Sequence, residues 1–160
     1  MNKEVISVKK SDGTSESLDI MKIQKMTQEA CKDLSGVSSS QVEMNTGIQF
    51  FDGITTRDIQ KILVKSASDL ISLENPNYEY VAARLLLYGL RKQVFGRFEY
   101  PRLKDLVKEN IERGVYNKDL INYYDDAEWN KLEKFIDHDR DYLFTYAGLQ
   151  QVVDKYLIQD

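Results

Sequence analysis

The sequence has little of what builds metal sites and disulfides: its 160 residues include one cysteine, Cys31, and one histidine, His138. A lone cysteine cannot form an internal disulfide, and one histidine beside it cannot complete a zinc site. No apolar run approaches the roughly 18 to 20 residues that cross a bilayer. The residues that follow 1–4 lack the apolar stretch of a signal peptide. We therefore expect a cytoplasmic protein with no membrane partner and no structural metal.

The sequence also lacks an excess of positive charge. Its 22 lysine and arginine residues are outnumbered by 26 aspartate and glutamate residues, which gives a net charge of -4. Proteins that bind nucleic acid generally need a cationic surface, because they displace counterions from the phosphate backbone. A general nucleic-acid binder is therefore disfavoured. The 42% of apolar residues are typical of a folded globular chain that can bury one good core or two small ones.

A β-hairpin is predicted over residues 5–18, because β-branched residues flank an Asp-Gly turn signal at 12–13. With a three-residue loop and Gly13 in the left-handed conformation, Val8 faces Glu16. This register places five side chains on one face: Ile6, Val8, Lys10, Glu16 and Leu18. A two-residue loop would shift every pair by one residue. The three-residue loop is preferred because it gathers the apolar residues, and it brings a lysine and a glutamate beside the core.

Two helices are predicted next. Asp19 is a plausible cap for the first, which Gly36 stops. Its inward positions, at helical spacing, are Ile20, Ile23, Thr27, Ala30, Cys31 and Leu34. Two candidate capping boxes, 38–41 and 40–43, open the second helix, which runs to about Phe50.

A short strand at 54–55 and two longer helices complete this part of the prediction. Thr55 or Thr56 caps the third helix, and its inward stripe contains Ile59, Ile62, Leu63, Ser66, Ala67, Leu70 and Ile71. The fourth helix begins at about Asn77 and carries Tyr78, Val81, Ala82, Leu85, Tyr88 and Lys92 along one side. The pattern indicates a mainly α domain over residues 1–95.

The composition changes near Gly96, where a charged, tyrosine-rich series of short helices begins. These helices are predicted at 102–113, 117–124, 127–136 and 146–157. We place the domain boundary there, so that residues 96–160 form a second, helical segment. Trp129 and the tyrosines of this segment are interpreted as packing residues, and His138 as part of a charged helix junction.

Charged residues from separate pieces of the sequence converge in this arrangement. Lys10 and Glu16 lie on the inward hairpin face, Asp19 and Lys22 begin helix one, and Lys92 ends helix four. Each piece has an ordinary explanation, because lysine stems often cover apolar surface and an aspartate often only caps a helix.

The first turn of helix three adds a possible anion site through the backbone N–H groups of Thr56 and Arg57. Two lysines and a helix N-terminus would suit a triphosphate. Glu16 and Asp19 could then accept hydrogen bonds from ribose or adenine, while Leu18 and Ile23 pack on the base.

The order of these residues resembles a known signature. Residues 8–13, followed by Glu16, Leu18-Asp19 and Lys22-Ile23, are similar to the ATP-cone motif. Residues 53–59 resemble the strand-to-helix step of that family, and residues 80–92 resemble its last helix.

The second half resembles the segment that joins the cone to the catalytic barrel in large subunits of class I ribonucleotide reductases. The similarity rests on residues 135–141, 144–146 and 155–157. Cones also occur in a zinc-ribbon repressor of reductase genes, but that protein needs four zinc-binding cysteines. The resemblance covers essentially the whole chain.

The resemblance implies a four-helix bundle capped by a small three-stranded mixed sheet, followed by a helical segment. It implies ATP as an activator and dATP as an inhibitor, bound with Mg²⁺. Carried onto this chain, the nucleotide-binding residues are Lys10, Glu16, Leu18, Asp19, Lys22, Ile23, Thr56 and Lys92. The implied partners are the rest of the large subunit and the radical-generating small (beta) subunit.

The implied reaction is reduction of ribonucleoside diphosphates to deoxyribonucleotides through a cysteine radical, with a cysteine pair as electron donor. Cys31 alone cannot form that pair, and it lies on the predicted buried stripe of helix one, where we expect an inert hydrophobe. We expect no catalytic residue and no catalytic cofactor in this chain, which should be inactive by itself.

Three positions depart from the family's pattern. Ser11 replaces the usual arginine after the signature lysine, and Gln60 and Gly89 stand where regulated bacterial relatives have histidines that help to discriminate effectors. These departures put inhibition by dATP in doubt. Virus-encoded reductases often carry weakened cones of this kind. The alternative function is a cap that binds no nucleotide and docks on the barrel or on the radical-generating subunit.

Overall fold

A computed structural model describes residues 6–157 of the protein, and these residues belong to two compact units. The first unit consists of residues up to Leu90 together with those from Asp141 onward, and the second of Arg91–Arg140. The boundary predicted near Gly96 stays a prediction. Val5, the first residue of the predicted hairpin, and residues 1–4 lie outside the described residues.

The hairpin has the predicted register. Strands β1 (Ser7–Lys9) and β2 (Ser15–Ser17) are antiparallel, with Val8 opposite Glu16. The Leu18 N–H donates to the Ile6 carbonyl at 2.8 Å, and Gly13 adopts a φ of 84° in the three-residue loop. Strand β3 (Ile54–Thr55) pairs in parallel with β1, so the strand order is β2-β1-β3. The predicted small mixed sheet is confirmed.

Four helices follow the order predicted for residues 1–95. They are α1 (Ile20–Cys31), α2 (Ser39–Gly47), α3 (Thr56–Ser68) and α4 (Tyr78–Phe95). Their inward faces and the sheet share one core, which includes Val8, Ile23, Ala30, Val42, Ile54, Ile59, Leu63, Ala67, Tyr78, Val81 and Leu85. The predicted mainly α architecture is confirmed.

Two details of the predicted helix one were wrong. Ile20 was assigned an inward position, but 61% of it is exposed because the buried stripe begins one turn later, at Ile23. The helix also ends at Cys31 rather than at Gly36, and Asp33 adopts a left-handed φ of 59° in the turn that follows. Asp19 is the N-cap, as predicted.

The predicted capping boxes of helix two do not form. Ser38 is the N-cap position, but its side chain makes no capping hydrogen bond. The expected partners are bound to other helices: Gln41 Oε1 accepts from the Tyr78 hydroxyl at 2.5 Å, and Glu43 Oε1 accepts from Thr27 Oγ1 at 2.6 Å. These bonds fasten α2 to α4 and α1, and α2 ends at Gly47, before Phe50.

Shorter helices make up the rest of the chain. Helices α5 (Leu103–Glu112) and α6 (Asp126–Phe135) belong to the second unit, together with a 3-10 helix at Lys118–Asn122. A second 3-10 helix, His138–Leu143, leads to α7 (Tyr146–Lys155). Leu149 of α7 packs against Ala83 and Leu87, so α7 is part of the first unit. No helix within residues 6–157 has the length and apolar content needed to span a membrane.

Candidate nucleotide site

Four predicted site residues form one charged cluster at the edge of the sheet. Lys10 Nζ lies 2.6 Å from Glu16 Oε2, and Lys22 Nζ lies 3.7 Å from Glu16 Oε1. Lys22 also lies 3.8 Å from Asp19 Oδ2. Each of these side chains is more than a third exposed, so the cluster faces solvent and remains open to a ligand. The sequence therefore located these four residues correctly relative to one another.

Local structure explains the cluster. Lys10 and Glu16 are diagonal neighbours on one hairpin face, where long side chains can meet. Asp19 accepts hydrogen bonds from the Met21 and Lys22 N–H groups at 3.0 and 3.3 Å, which fixes the start of α1. Lys22 is three residues beyond Asp19, on the same face of the helix. The loop register and one helix cap thus bring the four residues together.

The cluster is electrostatically paired. The hydrogen bond to Glu16 raises the pKa of Lys10, and the charge of Asp12 adds to the effect. The hydrogen bond from Lys10 lowers the pKa of Glu16, with a further contribution from Lys22. Lys10 and Glu16 are therefore both charged at neutral pH. An anionic ligand would have to compete with Glu16 for these lysines.

The parallel pair of strands places the start of α3 beside Lys10. Lys9 pairs with Thr55, so Lys10 and Thr56 each follow the last paired residue of their strands. Thr55, not Thr56, caps α3: its Oγ1 accepts from the Asp58 N–H at 3.0 Å and donates to Asp58 Oδ2 at 2.7 Å. Thr56 is the first residue of α3, at the positive end of the helix dipole.

The apolar residues predicted for the base differ in accessibility. Ile23 is 8% exposed and belongs to the core, whereas Leu18 is partly buried against that core. Sequence reasoning missed Met21, which is 78% exposed in the first turn of α1, beside the cluster. Met21 and Lys22 line a shallow depression of about 420 Å³ along the outer face of α1. Ile20 in the same turn is 61% exposed, although it was predicted to point inward.

Lys92 lies in the last turn of α4, among the residues of the second unit. Its Nζ is 5.4 Å from the centroid of the Phe98 ring, a cation–π distance. Its assignment to the nucleotide site stays a prediction.

Gln60 and Gly89, the two positions at which the family resemblance implied histidines, contact each other. Gln60 Nε2 donates to the Leu85 carbonyl at 2.5 Å. A Cβ atom added at Gly89 would lie only 2.8 Å from Gln60 Cγ. Gly89 is therefore the residue that lets the glutamine side chain lie against α4, and the two positions form one contact between α3 and α4.

Cys31 and His138, the two residues considered for catalytic chemistry, both pack against neighbouring side chains. Burial raises the pKa of the Cys31 thiol to about 11, so it is protonated and unreactive at neutral pH. The His138 ring stacks on Tyr100 with centroids 3.7 Å apart. Within residues 6–157, no group of three or more histidine, cysteine, aspartate or glutamate residues is arranged to hold a metal ion.

Comparison with known proteins gives a family and several relatives. The protein-family model described as the ATP cone domain matches residues 6–93 of the chain. The chain is 44% identical over all 160 residues to ribonucleoside-diphosphate reductase 1 subunit alpha of Escherichia coli strain K12, and covers 21% of that protein. It is 40% identical over 159 residues, 98% of the chain, to the subunit alpha of enterobacteria phage T4, again covering 21%. The chain thus spans about a fifth of the length of these relatives.

Proposed function

The chain belongs to the ATP-cone family, and on that premise we propose that it is the N-terminal regulatory part of a ribonucleoside-diphosphate reductase alpha subunit, binding adenine nucleotides. The observation that carries the proposal is the open cluster of Lys10, Glu16, Asp19 and Lys22 beside the first turn of α3. The reductase reaction belongs to the complete subunit. We expect this chain alone to be inactive, because its single cysteine, Cys31, cannot form the electron-donating pair.

Binding exchanges one set of ion pairs for another. Lys10 leaves Glu16 and pairs with phosphate. Lys22 stays within reach of the same phosphate oxygens. Glu16 and Asp19 then become available to accept hydrogen bonds from ribose hydroxyls or the adenine amine. The N-terminal dipole of α3 favours negative charge near Thr56.

The surface beside the cluster suits an adenine ring. Leu18 and Met21 present apolar atoms next to the charges, while Ile23 supports them from the core. Mg²⁺ accompanies the nucleotide and is held chiefly by the phosphates, as is usual for this cation. The family resemblance implies that Lys92 also binds phosphate.

We expect the chain to retain ATP binding more readily than inhibition by dATP. Ser11 cannot supply the fork-shaped donor of an arginine, and Gln60 is bonded to the Leu85 carbonyl. Neither Gln60 nor Gly89 offers the imidazole that regulated relatives use. We therefore propose a cone that binds ATP and discriminates weakly against dATP.

Calorimetric titration with ATP and dATP in Mg²⁺ tests the proposal. The chain should bind ATP, and Lys10→Ala should weaken binding by about tenfold or more, because a charge-assisted contact to phosphate is lost. Lys9→Ala is the matched control, since Lys9 points to the opposite face of the same strand. The Lys10→Ala/Lys92→Ala double variant should abolish binding.

Two outcomes would contradict it. Equal weakening by Lys9→Ala and Lys10→Ala would mean that the lysines act only through net charge. No heat and no thermal shift at millimolar nucleotide would favour the alternative, a cap that binds no nucleotide.

The exposed apolar surface of the second unit supports an additional role, docking on the rest of the reductase. Val107 and Trp129 are buried there, but Phe135 is 78% exposed and Ile136 44%. The relatives are about five times as long as this chain, so the remainder of the alpha subunit is the occupant we propose for this apolar surface. The radical-generating beta subunit is a partner of the complete assembly.

Docking can be measured with a reductase alpha subunit that lacks its own N-terminal fifth. Phe135→Ser should weaken its association with this chain by about tenfold or more, because a large apolar side chain is removed from the contact. Ile48→Ser is the matched control, since Ile48 is 87% exposed in the first unit. Equal affinity of the two variants would contradict docking through the second unit.

A further inference from the structure

Asp52 joins the turn before β3 to the start of β1. Its Oδ1 accepts hydrogen bonds from the Ser7 N–H at 2.8 Å and from Ser7 Oγ at 2.7 Å. The Gly53 N–H donates to the Ser7 carbonyl at 3.0 Å. The bond from the Ser7 hydroxyl lowers the pKa of Asp52, and the bond from the Ser7 N–H adds to the effect, so the carboxylate is charged at neutral pH. Two consecutive residues thus hold Ser7 by three hydrogen bonds.

These bonds matter because β3 is too short to fix its own position. Its two residues pair with Val8 and Lys9, and parallel pairing is slightly less stable per residue than antiparallel pairing. Burial of Ile54 fixes which face of β3 points to the core. It does not fix the displacement of β3 along β1, because a slip by two residues retains the same face. Asp52 and Gly53, directly before β3, supply the missing constraint.

The register of β3 decides where α3 begins relative to Lys10. Lys10 follows the last residue of β1, and Thr56 follows the last residue of β3 as the first residue of α3. A slip by two residues would move them apart by about 7 Å, because a strand rises about 3.3 Å per residue. One phosphate group could not then meet both the lysine and the helix N-terminus.

We propose that Asp52 is a positioning residue of the nucleotide site: through Ser7 it holds β1 and β3 in the register that sets Lys10 beside the first turn of α3. Asp52 acts through the strands, because its carboxylate is bound to Ser7, at the opposite end of β1 from Lys10. The inference rests on the proposed function, since it concerns the affinity of the same site for ATP.

Calorimetric titration of the complete chain with ATP and Mg²⁺ tests this role. Asp52→Ala should weaken binding by about fivefold, the scale of one lost hydrogen bond. Removing a negative charge would by itself favour an anionic ligand, so the expected loss cannot be an effect of net charge. Asp52→Asn should bind within about twofold of the wild type, because an amide oxygen can accept both bonds. Asp69→Ala is the matched control, since Asp69 is exposed and bound to Lys65 near the other end of α3.

Two further variants separate positioning from loss of stability. Ser7→Ala removes one of the two bonds to Asp52 and should weaken ATP binding by about twofold, which provides a milder test if Asp52→Ala does not fold. In a Lys10→Ala background, Asp52→Ala should weaken binding less than it does alone, because the lysine that it positions is gone. Urea unfolding of each variant shows that affinities are compared between folded chains.

The outcomes distinguish this inference from the proposed function. Wild-type binding of ATP that Asp52→Ala retains would overturn the inference alone. An equal loss in Asp52→Asn and Asp52→Ala, or the same loss with and without Lys10, would also overturn it. A wild-type chain that binds no ATP would overturn the proposed function, and the inference with it.

Discussion

The two units differ in how much of their apolar surface they bury. The first encloses a continuous core in which Leu63, Leu85 and Val81 are fully shielded from solvent. In the second, Val107 and Trp129 are buried, but other apolar residues are exposed: Val94, Val115, Tyr123, Phe135 and Ile136. Burial of apolar area is the main favourable term in folding. The first unit is therefore held by a larger apolar core than the second.

The candidate nucleotide residues belong to the better packed unit. Lys10, Glu16, Asp19 and Lys22 are placed by the hairpin and by the capped start of α1.

The largest expected effect is on the first unit's core. Leu63→Ala should lower the free energy of unfolding by about 3 to 5 kcal/mol, because a fully buried side chain leaves a cavity. Urea unfolding followed by far-UV circular dichroism measures this change. Leu132→Ala in the second unit, where Leu132 is 36% exposed, should cost less than about 1 kcal/mol. Equal losses would contradict the contrast between the units.

A smaller effect is expected where α3 meets α4. Gly89→Ala gains about 1 kcal/mol of helix propensity, but its Cβ would overlap Gln60 Cγ, and overpacking costs about 1 to 3 kcal/mol. We expect a net loss, measured by the same urea unfolding. Adding Gln60→Ala should remove the overlap and reverse the sign of the Gly89→Ala effect. An unchanged cost in that background would show that the contact is not the reason for the glycine.

The smallest expected effect concerns the exposed charges of the nucleotide site. The pKa of Glu16 lies below its ordinary value of 4.5 because of Lys10, so any stabilisation from the pair is present above that value and is lost as pH falls through the lowered pKa. Carbon-13 NMR titration of the Glu16 carboxyl should give a higher pKa in Lys10→Ala than in wild type. Lys9→Ala should leave that pKa unchanged, and a shift there would mean that general charge, not the contact, sets it.

Local signals predicted the parts of the fold that depend on neighbouring residues. The Asp12-Gly13 turn and the pattern of Val8 and Leu18 were enough for the hairpin register, and Asp19 was recognisable as a cap. The lysine and carboxylate cluster followed from these two features. Its predicted role in binding nucleotide still awaits measurement.

Features that depend on distant residues were not predictable in the same way. Gln41 was interpreted as a capping residue, but Tyr78, 37 positions away, binds its side chain. The contact between Gln60 and Gly89 likewise joins two helices across 29 positions, and periodicity cannot show which exposed side chain fills which gap. The inward position predicted for Ile20 was wrong for a related reason. Helical spacing indicates which face of a helix is buried but not where the neighbouring core ends.

Hydrogen exchange measured by mass spectrometry, with and without saturating ATP and Mg²⁺, tests the central claim most directly. ATP should slow exchange in peptides covering residues 7–24 and 54–60, which carry the charged cluster and the start of α3, and Lys10→Ala should remove that protection while Lys9→Ala retains it. Unchanged exchange in both segments at saturating ATP, or equal protection in Lys10→Ala, would contradict the assignment of the nucleotide site to this cluster.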